Sequence, residues 1–164
     1  MVKFLHLFKH YYLGISFIGI VAFAIQELPY LIMPFIKLET NPIMNVQNGI
    51  KWIETAQGFF GILSMIMLML IVRDDISVFS LAASKERAFF LLTILMIVIN
   101  FVGWGFYYTG HQYGALIVLS QFAVVPLYYM FFGLWKKNYL LVAATVPFFL
   151  IHTINGSLSF VCSI

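Results

Sequence analysis

Cysteine is almost missing from this chain: Cys162 is the only one in 164 residues. A single thiol excludes an intramolecular disulfide, and with it thiol relays, Cys-rich zinc sites and iron–sulfur clusters. Cys162 reads instead as a small apolar residue closing an apolar run. Charge is scarce too. Asp, Glu, Lys and Arg together make up 9% of the chain, against roughly 25% in an ordinary soluble domain. The sequence has no His-Glu-x-x-His, no Gly-x-Ser-x-Gly, no phosphate-binding glycine loop, and no carboxylate pair on one face of an apolar segment. These gaps argue against the familiar zinc-protease, serine-hydrolase and nucleotide-binding chemistries. Internal repeats, low-complexity tracts and linkers are missing as well.

Apolar residues are abundant. Hydrophobic side chains account for 63% of the sequence and mean hydropathy is +1.00, where a soluble domain carries about 45–50%. The apolar residues fall into five segments, at about 11–36, 49–72, 88–109, 113–135 and 139–160. Roughly 20 apolar residues suffice to cross a bilayer. The expected fold is therefore an all-α integral membrane protein, a bundle of five transmembrane helices forming one domain over 1–164, with the lipid bilayer as its first partner. Lys3 and Lys9 ahead of the first run resemble a signal peptide. The run is too long, carries Glu27 and lacks a small-residue cleavage site, so a retained span is expected.

The basic residues are distributed unevenly. Lys3, Lys9, Arg73, Lys85, Arg87, Lys136 and Lys137 occupy one alternating set of gaps, while Lys37 and Lys51 occupy the other. This is the positive-inside pattern, and it predicts a cytoplasmic N-terminus and an outside C-terminus. Cations at span ends anchor to anionic headgroups, so the net charge of +3 does not indicate a nucleic-acid partner. Short loops with this bias suit a bacterial inner (plasma) membrane.

Local signals refine the boundaries. Pro29 and Pro34 are expected to kink or break the outer end of span one. Asn41-Pro42, Asn45 and Asn48-Gly49 mark an outer loop, with span two starting near Asn48-Gly49. Asp74-Asp75 resembles a helix start, and Ser84-Lys85-Glu86-Arg87 the cap of span three. Pro126 is expected to interrupt span four. Gly103 and Gly105 read as a close-packing notch. Tyr107-Tyr108 and Tyr128-Tyr129 read as interfacial belts. His6 and His10, spaced i and i+4, sit in a basic segment and read as a solvated face. Asp74, Asp75 and Glu86 are neutralised by adjacent cations. Asn155-Gly156-Ser157 matches a glycosylation sequon formally, but inside a span.

Function is sought in the polar residues within spans, which are costly in lipid. At 1.5 Å per residue, Glu27 lies about 13 Å from the outer end of its span, Asn100 about 14 Å, Gln121 about 12 Å, His152 about 12 Å and Asn155 about 8 Å. Four antiparallel spans thus bring polar groups into one layer. Asn100, Trp104, Tyr107 and Tyr108 share a stripe, as do His152, Asn155 and Ser159. The candidate ligand-binding residues are Glu27, Asn100, Trp104, Tyr107, Gln121, His152 and Asn155. Glu27 opposite His152 would form a proton-holding pair. The expectation is an outward-facing intramembrane pocket that binds or transports a small molecule or ion. One alternative is a non-catalytic subunit packed against itself or other membrane subunits, its polar layer serving as interhelical glue. A membrane-embedded enzyme acting on a lipid-like substrate, with Glu27 and His152 as acid and base, is a further one. Neither a cofactor nor a metal is named by the sequence.

Overall fold

The computed structural model describes residues 1–44 and 50–162. Among these, five helices are long and apolar enough to cross a membrane: Phe17–Phe35, Lys51–Leu70, Ser84–Tyr108, Gly114–Trp135 and Tyr139–Phe160. The first contains α1 (Phe17–Ile32) and a 3₁₀ turn, Met33–Phe35. The second, third and fifth are α2, α3 and α6. The fourth divides into α4 (Gly114–Ile117), a π-helical turn (Val118–Ala123) and α5 (Val124–Trp135). It is the most buried of the five, and α3, α6 and α1 all touch it.

The chain is not all-α. β1 (Val2–Phe8), β2 (Tyr11–Ile15) and β3 (Ile71–Arg73) form an antiparallel sheet in that order at one end of the bundle. Residues 11–15, expected as the start of span one, pair instead with β1 and β3. Ser16 ends the strand and starts the helix. Its hydroxyl accepts from the Gly19 amide at 3.1 Å, while its own N–H donates to the Met69 carbonyl at 2.8 Å. A helix N-terminus leaves donors unpaired, and a serine cap stabilises it by about 1 kcal/mol. Ser16→Ala is accordingly expected to lower the unfolding free energy by about 1 kcal/mol, checked by equilibrium unfolding in mixed micelles. Span two likewise ends earlier than expected, at Leu70, because Ile71–Arg73 joins β2.

Other boundaries shift for identifiable reasons. Asp74-Asp75 does not open a helix: Asp74 takes a hydrogen bond from His10 at 3.1 Å, and Asp75 accepts two from Arg73 at 2.6 and 2.9 Å. α3 starts at Ser84, and Glu86 reaches back to the Ala83 amide while also accepting from the Ser80 hydroxyl and pairing with Lys137. α1 runs through Pro29 and gives way only at Met33-Pro34. The interruption of span four falls ahead of Pro126, where the π turn absorbs the missing donor and the crowding of the preceding turn. The expected start of span two at Asn48-Gly49 lies outside the described residues. Span five matches its expected bounds.

Cross-links gather the cation-rich segments at the sheet end. Arg73 donates to the Lys137 carbonyl at 2.8 Å and stacks over Tyr11, and Lys136 donates to the Ser77 and Val78 carbonyls. The Arg73 guanidinium holds the Asp75 carboxyl below its usual range. A depressed folded-state value contributes stability that is present above the unfolded value, about 3.9, and lost as pH falls through the folded one. Faster hydrogen exchange of the β2–β3 amides is therefore expected only below about pH 4. Exchange that is already fast at neutral pH would contradict the anchoring role.

Candidate functional site

The expected polar layer divides into two parts. Asn100 and Gln121 lie in the packed seam between α3 and the π turn, each 1% exposed. The Asn100 amide donates to the Ser120 carbonyl at 2.8 Å and to Gln121 Oε1 at 3.0 Å. Gly103 permits the approach, since a Cβ there would fall 2.2 Å from the Ser120 side chain. A Cβ at Gly105 would meet nothing within 4 Å, so only half of the expected notch is used. Neither Asn100 nor Gln121 lines the cavities described below, and the seam reads as interhelical hydrogen bonding. It leaves Asn100 Oδ1 and, one turn on, Trp104 Nε1 buried without partners.

Trp104 and Tyr107 belong to an aromatic plug. The Tyr30 and Trp104 rings meet edge-on at 4.7 Å, and Trp104 also contacts Tyr107 and Tyr108. Tyr107 donates to Asn41 and accepts from the Ile43 amide, tying the 36–44 segment across this end of the bundle. The Tyr108 hydroxyl donates to the Pro29 carbonyl at 2.5 Å.

Glu27 and His152 do come together, lining one cavity of about 250 Å³ between α1, α2, α5 and α6. α1 contributes Gln26, Glu27 and Tyr30; α2 contributes Gln57, Gly58, Gly61, Ile62 and Met65. Val125, Tyr129, Phe148 and His152 form the inner wall. Glu27 and His152 are not bonded to each other, so the expected proton-holding pair is two separate groups lining one cavity. His152 lies between the rings of Phe148 and Phe122, at 4.9 and 4.6 Å. Gly156 makes that possible, because a Cβ there would meet the Phe122 ring.

The cavity is unusual in the number of polar groups it leaves uncommitted. Tyr129 donates to Gln26 Oε1 at 2.6 Å, which turns the Gln26 oxygen away and leaves its NH₂ without a partner among the described residues. Asn155 donates to Gln57 Oε1, leaving the Gln57 NH₂ in the same condition. Asn155 thus orients a cavity residue and does not itself line the cavity. The Glu27 carboxyl has no hydrogen-bond or ion-pair partner among the described residues, and His152 Nδ1 is buried and unpaired. Buried polar groups are ordinarily satisfied.

At the sheet end, a smaller void of about 80 Å³ is bordered by Arg73, Lys136 and Asn138, all bonded to backbone carbonyls. One group of described residues, His10, Asp74 and Asp75, has ligand atoms within 4.8 Å of one another. It is exposed, and Asp75 is held in a two-point contact by Arg73. Glu86 lies elsewhere, with Ser80 and Lys137.

Three residues important to the cavity, Gln26, Gln57 and Tyr129, are missing from the sequence-based set. Gln57 lies in the early turns of α2, where polar residues are ordinary. Tyr129 was placed in an interfacial belt, yet it and Tyr128 are buried within the bundle, Tyr128 donating to the Ala22 carbonyl. Compared with family models, with curated proteins and with solved structures, the chain matches none.

Proposed function

We propose that this chain spans a membrane five times, with the sheet and its cations in the cytoplasm, and binds or moves a small molecule or ion in the Glu27–His152 cavity. One observation carries the reading: the Glu27 carboxyl, His152 Nδ1 and the NH₂ groups of Gln26 and Gln57 have no hydrogen-bond partner among the described residues, and all four residues line a single cavity. Unpaired polar groups in an apolar setting cost free energy, which a ligand supplying complementary groups recovers. The bacterial inner membrane remains the proposed location, on the evidence of the short loops and the charge bias.

Native mass spectrometry in mild detergent, on protein taken from its own membranes, tests this. A reproducible bound small molecule, lost in Glu27→Gln, is the expected result. A bare protein of unchanged mass in both forms would sink the proposal. The subunit reading draws on a different observation. Every residue of β1 is exposed, Phe4 and Leu5 among them, and its outer edge is unpaired. A stoichiometric protein partner in the same spectra would favour that reading.

A further inference from the structure

We propose, on the reading that the Glu27 cavity is a ligand site, that its ligand is a lipid-soluble organic cation. It enters sideways between α1 and α2 and is held by the Glu27 carboxylate in exchange for that group's proton.

The route follows from what is open and what is closed. Tyr30, which lines the cavity, packs against Trp104 of the aromatic plug, and Tyr107 of that plug is bonded to Asn41 and Ile43 in the 36–44 segment. On the sheet side, Tyr129 and Tyr128 tie α5 to Gln26 and to the Ala22 carbonyl. Between α1 and α2 the wall is thin. Gly58 is exposed, and a side chain added there would meet nothing within 4 Å. Glu27 is only partly buried behind this gap. On these two helices Leu28 and Leu31 of α1 and Phe59 and Ile62 of α2 are exposed, and Ile62 lines the cavity. In a five-span protein that rim faces lipid, so what passes it must be soluble there.

The charge of the ligand follows from the lining. Glu27 is the cavity's one acidic group, and no Lys or Arg lines it. A carboxylate in a low-dielectric setting requires a counter-charge or a proton. Tyr30, Tyr129 and Phe148 line the cavity, and aromatic rings attract cations, most strongly where water is excluded. The titratable groups facing Glu27 are Tyr30 on its own helix, Tyr129 on α5 and His152 on α6; Tyr108 of α3 sits behind Pro29, and α2 contributes only the neutral Gln57. A cation entering the protonated site forms an ion pair with the carboxylate, and one proton leaves to water or buffer.

The test uses the full chain in lipid nanodiscs, with decyltrimethylammonium as the probe and dodecanol as its neutral counterpart. Calorimetric titrations are corrected with empty discs. Over the range in which Glu27 is protonated, one-for-one exchange predicts about a tenfold gain in apparent affinity per pH unit, 1.4 kcal/mol in binding free energy. Titrations in buffers of different ionisation enthalpy should show one proton released per cation. Glu27→Gln should abolish the pH slope, and Glu27→Asp should keep it. Gly58→Leu, which fills the gap without touching the carboxyl, should weaken binding about tenfold or more. The proposal is overturned if dodecanol binds as well as the cation, if Gly58→Leu binds normally, or if the slope survives in Glu27→Gln, which would assign the titration to His152. If the cation fails to bind while a neutral molecule co-purifies and is lost in Glu27→Gln, the ligand class is wrong and the ligand site stands. If neither binds, both readings fall.

Discussion

Gly19→Ala should cost about 3 kcal/mol of stability, at the upper end of what overpacking does to a well-packed interior. Gly19 is where α1 crosses the end of α2. A Cβ there would lie 2.1 Å from the Leu68 carbonyl oxygen and 3.0 Å from its carbon. A flexible side chain could rotate away from such a clash, but the Leu68 carbonyl is backbone in the last turn of α2 and moves only with the chain that carries it. Relief requires α1 to move off α2, which loosens the Ser16 cap and the Ser16–Met69 bond at the same point. Gly105→Ala is the matched control. Nothing lies within 4 Å of that position, so replacing a helical glycine there should stabilise by about 0.5–1 kcal/mol. Thermal or denaturant melts of the two variants should move in opposite directions. Equal shifts would mean that α1 and α2 are not in this contact.

Asn138→Leu should be nearly as damaging, at about 2–4 kcal/mol. Asn138 is 5% exposed and serves three elements at once. Its Oδ1 accepts from the Leu141 amide, capping α6 at 3.2 Å, and its amide donates to the Met67 carbonyl at 2.9 Å and the Ile71 carbonyl at 3.4 Å. Leucine fills similar space but leaves a helix N-terminus uncapped and two carbonyls without this donor. Asn138→Ser separates the contributions, since its hydroxyl can keep the cap while both donations are lost. The expected order of stability is wild type, then Asn138→Ser, then Asn138→Leu. An Asn138→Leu protein that unfolds like wild type would show that the turn between α5 and α6 is held by other contacts.

The five long helices were legible because an uninterrupted apolar run of span length has few other uses. The final span was legible to the residue, because Asn138 and the cations before it mark its start. The sheet was not. Tyr11–Ile15 and Ile71–Val72 are apolar and continuous with the helical runs beside them, so composition alone gives no boundary. Ser16 was the available signal, a capping residue in the middle of an apolar stretch.

The site was legible in part. Counting 1.5 Å per residue places Glu27, Asn100, Gln121 and His152 at a common depth, and they do pair off: Asn100 with Gln121 by a hydrogen bond, Glu27 with His152 by a shared cavity. Depth says nothing of direction around the bundle axis, so one pocket was expected where there is a packed seam and a separate cleft. Tyr129 was misplaced for the same reason. A tyrosine near a helix end reads as interfacial unless its azimuth is known, and span four turns out to be surrounded. The π turn that rotates its two halves relative to each other left no clear mark beyond Pro126.

Carbodiimides modify protonated carboxyl groups, and they differ in whether they reach them through lipid or through water. Protein in liposomes is treated in parallel with lipid-soluble dicyclohexylcarbodiimide and with a water-soluble carbodiimide, and the modified peptides are located by mass spectrometry. If the cleft opens to the bilayer and its carboxyl is unpaired, Glu27 is modified by the lipid-soluble reagent and spared by the other. Glu27 left unmodified by the lipid-soluble reagent, or modified only by the water-soluble one, would contradict that account.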